Sequence, residues 1–132
     1  MTRIAHTSLD SETGYACAIH AGRHGLTADE STARGGTDTG PAPYQLLLSG
    51  LAACTAITLR MVAVRKGWEL GSIHVDLEPH KDAEGGGDRI TRAISLTGPL
   101  NDRQKATLAD VAERTPVTKT IKAGAAIETK FL

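Results

Sequence analysis

The feature that most constrains this fold is an apolar run over residues 44–66, which holds no proline and no charged residue before Arg60. Alanine and leucine dominate the run, so it predicts one α-helix about 35 Å long. Because apolar side chains would occupy nearly every face of that helix, protein has to surround it. In a chain of 132 residues one thin sheet leaves part of the helix uncovered, so we expect a second subunit to cover the rest.

Short strands and a loop precede this helix. Strands are predicted over 2–8, 15–20 and 25–29, and the turn-rich segments between them favour a β-meander. Residues 31–43 are rich in glycine, threonine and proline and show no hydrophobic period. Their closing Pro41-Ala42-Pro43 is typical of the approach to a helix, so a mobile loop is predicted to lead into it.

A β-hairpin is predicted after the break at Lys66-Gly67-Trp68. Apolar and polar residues alternate over 72–78, which is the period of a half-buried strand. Gly85-Gly86-Gly87 predicts a flexible turn, and 89–96 supplies the returning strand.

Two shorter helices follow the hairpin. Asn101 lies three residues before Gln104, the spacing of a capping box, and predicts a helix that ends near Arg114. Thr115-Pro116 suits the cap and the first turn of another helix, which would run to about Ala123.

A terminal strand over 126–131 completes the predicted fold. The class is α+β, with an N-terminal β-meander, a long buried central helix, a β-hairpin, two shorter helices and this strand. The chain length predicts a single domain over residues 1–132.

Charge and composition exclude several classes of function. Basic and acidic residues balance at 15 each and aromatic residues make up 3% of the chain, so no nucleic-acid partner is predicted. The first residues contain no apolar core of the length found in signal peptides. No stretch is expected to approach the roughly 20 apolar residues of a membrane span. Two cysteines without a CxxC spacing favour reduced thiols, so the expected location is the cytoplasm, with no membrane partner.

Cys54, in the middle of the long helix, is the candidate for chemistry. Its helical neighbours are small or apolar, so the thiol either packs as a small hydrophobe or lines a pocket that a ligand can enter. At the helix start, Tyr44 and Gln45 either line the entrance or simply begin the helix. The residues assigned to this pocket are Tyr44, Gln45, Leu47, Leu51, Ile57, Thr58 and Met61.

A nucleophilic thiol at this position needs a nearby cation. An apolar site disfavours the thiolate, and arginine is the best group to offset that effect because it stays charged. The candidates are Arg23 in a turn, Arg34 in the loop, and Arg60 and Arg65 on the helix. Spacing alone does not select among them.

Neither a metal nor an organic cofactor is predicted. The five histidines lack the ligand number and spacing of a zinc site. The glycine-rich segment 35–40 lacks the Lys-Ser/Thr that follows a phosphate-binding loop.

Several stretches together resemble the OsmC/Ohr family, the osmotically inducible and organic-hydroperoxide-resistance proteins. The most specific is Pro-x-x-Leu-Leu at residues 43–47, placed ahead of Ala-x-Cys at residues 52–54. The matching stretches span nearly the whole chain and are Gly22-Arg23, 24–30, Gly35-Gly36, 40–48, 52–55, 66–68 and 115–117.

The resemblance implies an OsmC-like fold in which two chains form an intertwined homodimer with the reactive site at the interface. It also implies a chemistry: a peroxidatic thiolate reduces a hydroperoxide to an alcohol and becomes a sulfenic acid. A resolving cysteine then closes a disulfide, which a dithiol reductant reopens. Cys54 matches the peroxidatic position, and Arg23 matches the arginine that activates the thiolate.

Two positions depart from the family pattern. Thr115 stands where the resolving cysteine precedes Pro-Val, and it cannot form a disulfide. Tyr44 stands where a glutamate orients the arginine, which leaves Asp29 or Glu30 as a substitute. The resemblance therefore predicts a one-cysteine reaction in which an external thiol, or alternatively Cys17, resolves the sulfenic acid.

Two functions follow from this sequence. The first is defence against oxidative stress, in which Cys54 reduces organic hydroperoxides and an external thiol reductant regenerates it. The alternative is a non-catalytic protein whose apolar pocket binds a small hydrophobic molecule, with a degenerate peroxidase site. Other thiol chemistry, such as redox sensing, is also compatible with a single cysteine on the helix.

Overall fold

A computed structural model describes residues 1–82, 84–85 and 87–132. The chain divides into an N-terminal unit, residues 1–47, and a C-terminal unit, residues 48–132. Five strands and three α-helices lie within the described residues, which confirms the α+β class.

The N-terminal unit contains an antiparallel sheet of β1 (Thr7–Asp10), β2 (Cys17–Ala21) and β3 (His24–Ala28) in that order. This confirms the predicted β-meander. The first strand begins later than the predicted 2–8, because Thr7 pairs with Ala21 and β2 ends there. The pairing ends just beyond this point, where the carbonyl of His6 accepts from the N–H of Gly22.

The loop after β3 is organised by Asp29, which is only 3% exposed. One carboxylate oxygen accepts hydrogen bonds from the backbone N–H and the hydroxyl of both Thr37 and Thr39, at 2.6–3.2 Å. The other accepts from the N–H of Glu30 at 2.7 Å. These donors, led by the Thr37 hydroxyl, hold the pKa of Asp29 far below its usual range. The segment predicted as a mobile loop is thus pinned by its own threonines.

The long helix α1 (Pro43–Lys66) begins in the N-terminal unit and continues through residue 66 of the C-terminal unit. It ends where Gly67 takes a φ of +70° and the N–H of Trp68 donates to the carbonyl of Ala63. This left-handed glycine is the usual way to close a helix.

Only one face of α1 is buried in this chain. The buried residues recur every four positions at Leu51, Thr55, Leu59 and Ala63. The sequence predicted that protein surrounds the helix, but within this chain only that face is covered. Another face carries the exposed apolar side chains of Ile57, Met61 and Val64.

The prediction that no stretch approaches a membrane span was wrong, because α1 is long enough and apolar enough to cross a membrane by length and composition alone. An 18-residue window of α1 reaches a mean hydropathy of 1.8, with 22% of it buried. A soluble protein's core helix passes the same test, so this property alone does not indicate a membrane.

The C-terminal unit contains the predicted hairpin, formed by β4 (Ile73–Lys81) and β5 (Asp88–Leu96). The strands pair antiparallel from Ile73 opposite Leu96 to Lys81 opposite Asp88. Gly86 of the predicted turn lies outside the described residues.

Two helices follow, α2 (Asp102–Ala112) and α3 (Pro116–Ala123). The side chain of Asn101 accepts from the N–H of Gln104, whose own side chain accepts from the N–H of Asn101. This reciprocal pair confirms the capping box. The predicted start of the last helix is also confirmed, with Thr115 at the N-cap position.

The core of the C-terminal unit joins α1 to α2. Leu59, Ala63, Leu70, Leu108 and Ala112 form the fully buried cluster, and partly buried side chains of the hairpin pack against it. Gly98, in the connection between β5 and α2, lies against the backbone of Glu69, in the connection between α1 and β4. A Cβ at Gly98 would overlap the carbonyl of Glu69. Glycine is therefore required where these two backbones meet.

The predicted terminal strand is wrong. Residues 124–132 lie outside any helix or strand, and the side chains of Ile127 and Phe131 are 87% and 100% exposed. A strand needs a partner for its backbone groups, and none of the described strands pairs with this segment.

Candidate functional site

Cys54 lies on α1 and is half-buried. Its sulfur lies 4.0 Å from the hydroxyl oxygen of Thr58, one turn further along the helix. Thr55, the next residue, is completely buried. Cys54 is therefore positioned at the boundary between the covered face of α1 and its exposed face.

A nearly buried arginine, Arg92, reaches the helix turn that carries Cys54. Its guanidinium donates to the hydroxyl of Thr55 at 2.9 Å, to the hydroxyl of Thr118 at 3.0 Å and to the carbonyl of Ala112 at 2.8 Å. The Arg92 side chain is only 12% exposed. One cation thus links α1, the last residue of α2 and the first turn of α3.

Strand periodicity explains how an arginine came to be buried. Alternate residues of β5 face the interior, and this set includes Ile90, Arg92, Ile94 and Leu96. An arginine in phase with apolar residues on an amphipathic strand is the signal that sequence reasoning missed. Such a residue needs hydrogen-bond acceptors inside the protein, since an unpaired buried charge is costly.

Thr115, at the position matching the family's resolving cysteine, has its hydroxyl within this buried network. Thr115 is fully buried, and its hydroxyl oxygen lies 2.6 Å from that of Thr118. The Thr118 hydroxyl also lies 3.4 Å from the carbonyl of Ala112. We refer to Arg92, Thr55, Thr115 and Thr118 as the Arg92 cluster.

An exposed carboxylate, that of Glu113, partly offsets the positive charge of Arg92. A carboxylate oxygen of Glu113 lies 3.9 Å from the guanidinium, and the ammonium of Lys122 donates to the same carboxylate. The bond from Lys122, with a smaller contribution from Arg92, holds the pKa of Glu113 below its usual value. The Glu113 side chain is 59% exposed, so solvent screens much of this attraction.

Several predicted site residues lie in the N-terminal unit, apart from the unit that holds Cys54. Arg23 is exposed in the turn between β2 and β3. Tyr44, Gln45 and Leu47 form the first turns of α1, where the side chain of Gln45 accepts a hydrogen bond from the N–H of Ala42. Their participation in a site with Cys54 stays a prediction.

The other N-terminal candidates already have structural roles. The carboxylate of Asp29 is occupied by the loop it organises, so Asp29 is poorly suited to orient an arginine. The thiol of Cys17 is half-buried and donates to the carbonyl of Ala28 across the β2–β3 pair, at 3.6 Å.

Two of the predicted pocket residues of the C-terminal unit line a groove on α1. Leu51 is buried, whereas Ile57 and Met61 line an open groove of about 710 Å³ along α1. Arginines stand among its apolar residues, and neither Cys54 nor Thr58 is part of its lining. The groove is lined by Ala56, Ile57, Arg60, Met61, Val64, Arg65 and Ile73.

No group of three or more histidine, cysteine, aspartate or glutamate side chains suited to a metal ion occurs within the described residues. Within the C-terminal unit, the groups described near Cys54 are its half-buried thiol, the hydroxyls of Thr55 and Thr58, and the guanidinium bonded to Thr55.

These features define an α+β protein with a single thiol on a long central helix. A family model described as OsmC-like protein matches residues 36–130. The chain therefore belongs to the OsmC/Ohr family, as its sequence resemblance predicted. Proteins of this family are soluble.

Solved structures share the fold along nearly the full chain. An OsmC-like protein from Mycoplasma pneumoniae is 20% identical, with a TM-score of 0.79 and coverage of 94% of this chain and 91% of that one. The organic hydroperoxide resistance protein OhrB of Bacillus subtilis is 27% identical, with a TM-score of 0.60 and coverage of 92% and 93%.

A third structure, a putative organic hydroperoxide resistance protein from Vibrio cholerae, has captopril bound in one of its active sites. It is 23% identical to this chain, with a TM-score of 0.67 and coverage of 94% of this chain and 89% of that one. Among curated proteins, none matches this sequence.

Proposed function

We propose that this protein serves in defence against oxidative stress by reducing organic hydroperoxides through Cys54. The observation that carries the proposal is the half-buried thiol on the long helix of an OsmC/Ohr family member. The likeness to OhrB of Bacillus subtilis, an organic hydroperoxide resistance protein, supports the choice of substrate. A cytoplasmic location, where thiols stay reduced, suits this chemistry.

The reaction begins when the Cys54 thiolate attacks the terminal oxygen of the hydroperoxide. A sulfur–oxygen bond forms, the oxygen–oxygen bond breaks, and the departing alkoxide takes a proton to become an alcohol. Cys54 is left as a sulfenic acid. In this proposal Arg23 is the cation that favours the thiolate, and the apolar residues around Cys54 select organic over inorganic peroxides.

An external dithiol completes the cycle, because Thr115 has a hydroxyl where a resolving thiol would be needed. One sulfur of the reductant attacks Cys54, releasing water and forming a mixed disulfide. The second sulfur of the reductant then displaces Cys54 as a thiol. Cys17 is the alternative resolving group, but its hydrogen bond within the N-terminal sheet disfavours that role.

We also propose that residues 1–132 form a single domain.

We further propose that two copies of this domain form a homodimer. The side chains of three apolar residues on α1 are exposed: Ile57 by 54%, Met61 by 58% and Val64 by 74%. A second copy would remove this apolar surface from water. We expect light scattering to give twice the chain mass of 13.8 kDa; a mass equal to one chain at micromolar concentration would refute the dimer.

The function is tested by the rate at which reduced protein loses its Cys54 thiol. With cumene hydroperoxide we expect this rate to exceed that of free cysteine by about a hundredfold or more, because a positioned thiolate reacts faster than one in solution. Hydrogen peroxide should react more slowly. Cys17→Ser should retain the fast phase, and Cys54→Ser should lose it.

A rate equal to that of free cysteine would contradict the enzyme and favour a second candidate. In that case the groove that Ile57 and Met61 line would bind a small hydrophobic molecule, in place of a second copy of the chain. Saturable binding of an apolar fluorescent probe that survives Cys54→Ala would then be the positive result for a binding protein.

A further inference from the structure

Arg92 is a buried cation whose hydrogen-bond partners are all neutral, which is an expensive arrangement for a purely structural group. Its three acceptors are two threonine hydroxyls and one backbone carbonyl. The nearest carboxylate, on Glu113, is exposed and already bonded to Lys122. A well-packed apolar residue at this position would avoid the desolvation cost of the charge.

The hydrogen bond from Arg92 to Thr55 holds the helix turn that contains Cys54. Thr55 has a single hydroxyl proton, which it donates to the carbonyl of Leu51 at 2.7 Å. The same oxygen accepts from Arg92. The turn from Leu51 to Thr55 is thereby held at its end by the helix backbone and by the guanidinium together, and Cys54 lies within it.

The hydrogen bonds to Ala112 and Thr118 hold the guanidinium of Arg92 in place. The carbonyl of Ala112 belongs to the last turn of α2, where carbonyls carry partial negative charge and lack helical partners. Thr118 lies in the first turn of α3 and is 4% exposed. Through these two bonds the guanidinium connects Thr55 to α2 and α3.

We infer that Arg92 is a positioning residue for Cys54, acting through its hydrogen bond to Thr55. This inference rests on the proposed reactivity of Cys54. The bond keeps the thiol half-buried and in one orientation, as attack in line with the oxygen–oxygen bond requires. Loss of the bond frees the turn, which exposes the thiol to small reagents and misaligns it for the hydroperoxide.

The test compares two reactions of Cys54 in variants that all carry Cys17→Ser, so that one thiol remains. Alkylation by iodoacetamide reports accessibility of the thiol, and consumption of cumene hydroperoxide reports its alignment. The variants are Thr55→Val, Arg92→Met, the double substitution, and Thr107→Val on α2 as the matched control. Each is measured well below its unfolding temperature, with circular dichroism verifying that it is folded.

In Thr55→Val and Arg92→Met we expect alkylation to rise about fivefold through local opening and hydroperoxide consumption to fall about tenfold. The double substitution should match the single ones, because both remove the same bond. Thr107→Val removes a hydroxyl that is bonded in the same way to the helix carbonyl four residues earlier, and it keeps every hydrogen bond of the Arg92 cluster. It should change either rate by less than about twofold.

Unchanged alkylation in Thr55→Val, or an equal change in Thr107→Val, would overturn the inference. If Arg92→Met fails to fold, Thr55→Val and the milder Arg92→Lys decide the outcome. The alkylation result is independent of the proposed function. That function fails instead if the parent protein consumes hydroperoxide no faster than free cysteine.

Discussion

Replacement of Arg92 by methionine is expected to lower the free energy of unfolding by about 3 kcal/mol. The substitution removes the N–H donors that serve Thr55, Thr118 and the carbonyl of Ala112, three groups in the interior of the C-terminal unit. Each buried acceptor that loses its partner costs about 1 to 3 kcal/mol. Methionine fills most of the vacated volume and avoids the cost of burying a charge, which offsets part of this loss.

The measurement is urea denaturation followed by circular dichroism, at one fixed protein concentration so that any association contributes equally. Arg89→Met is the matched control, because Arg89 lies on the same strand but is exposed. Its effect should stay within about 0.5 kcal/mol. Equal midpoints for the two variants would show that the Arg92 cluster adds nothing to stability.

Asp29→Asn is expected to lower the melting temperature by about 10 °C at neutral pH. The Asp29 carboxylate accepts from five donors, and an amide in its place turns an N–H group toward some of them. The loop that Asp29 organises would lose the hub that joins Glu30 to Thr37 and Thr39.

The effect of Asp29 also depends on pH in a defined direction. The folded protein lowers the pKa of this carboxyl, so its ionised form stabilises the fold above the unfolded pKa of about 3.9. That contribution disappears as the pH falls toward the folded pKa. The difference in melting temperature between the wild type and Asp29→Asn should therefore shrink between pH 5 and pH 2, both approximate limits.

Asp38→Asn provides the control for Asp29. It makes the same change of charge in the same loop, and Asp38 is exposed with a φ of +53°, a conformation that asparagine accepts readily. We expect only a small shift in melting temperature at neutral pH. A dependence on pH equal to that of Asp29→Asn would place the acid sensitivity elsewhere.

The lack of a thiol at residue 115 bears on how the proposed enzyme is regenerated. Thr115 and Thr118 share a short hydrogen bond in a buried position, so the start of α3 serves to complete the Arg92 cluster. A sulfenic acid at Cys54 would then persist until a reductant reached it. The reductant is accordingly part of the proposed chemistry, and its access to the half-buried Cys54 would limit turnover.

Sequence patterns located the elements that depend on local interactions. The apolar run predicted α1, and the pairing of Asn101 with Gln104 predicted the cap of α2. Strand alternation predicted the β4–β5 hairpin, and the match around Cys54 identified the family. Each of these signals lies within a short stretch of chain, where periodicity, capping and turn chemistry act directly.

Tertiary structure decided which side chains meet. Arg92 lies 37 positions from Thr55 in the chain, so no local pattern could pair them, and the bond exists because β5 turns an arginine into the interior beside α1. The strand predicted over 126–131 failed for the same reason, since strand pairing also requires a partner from elsewhere. The sequence by itself thus determined the helices, the hairpin and the thiol, whereas packing between distant segments determined the polar network bonded to Thr55, the residue next to that thiol.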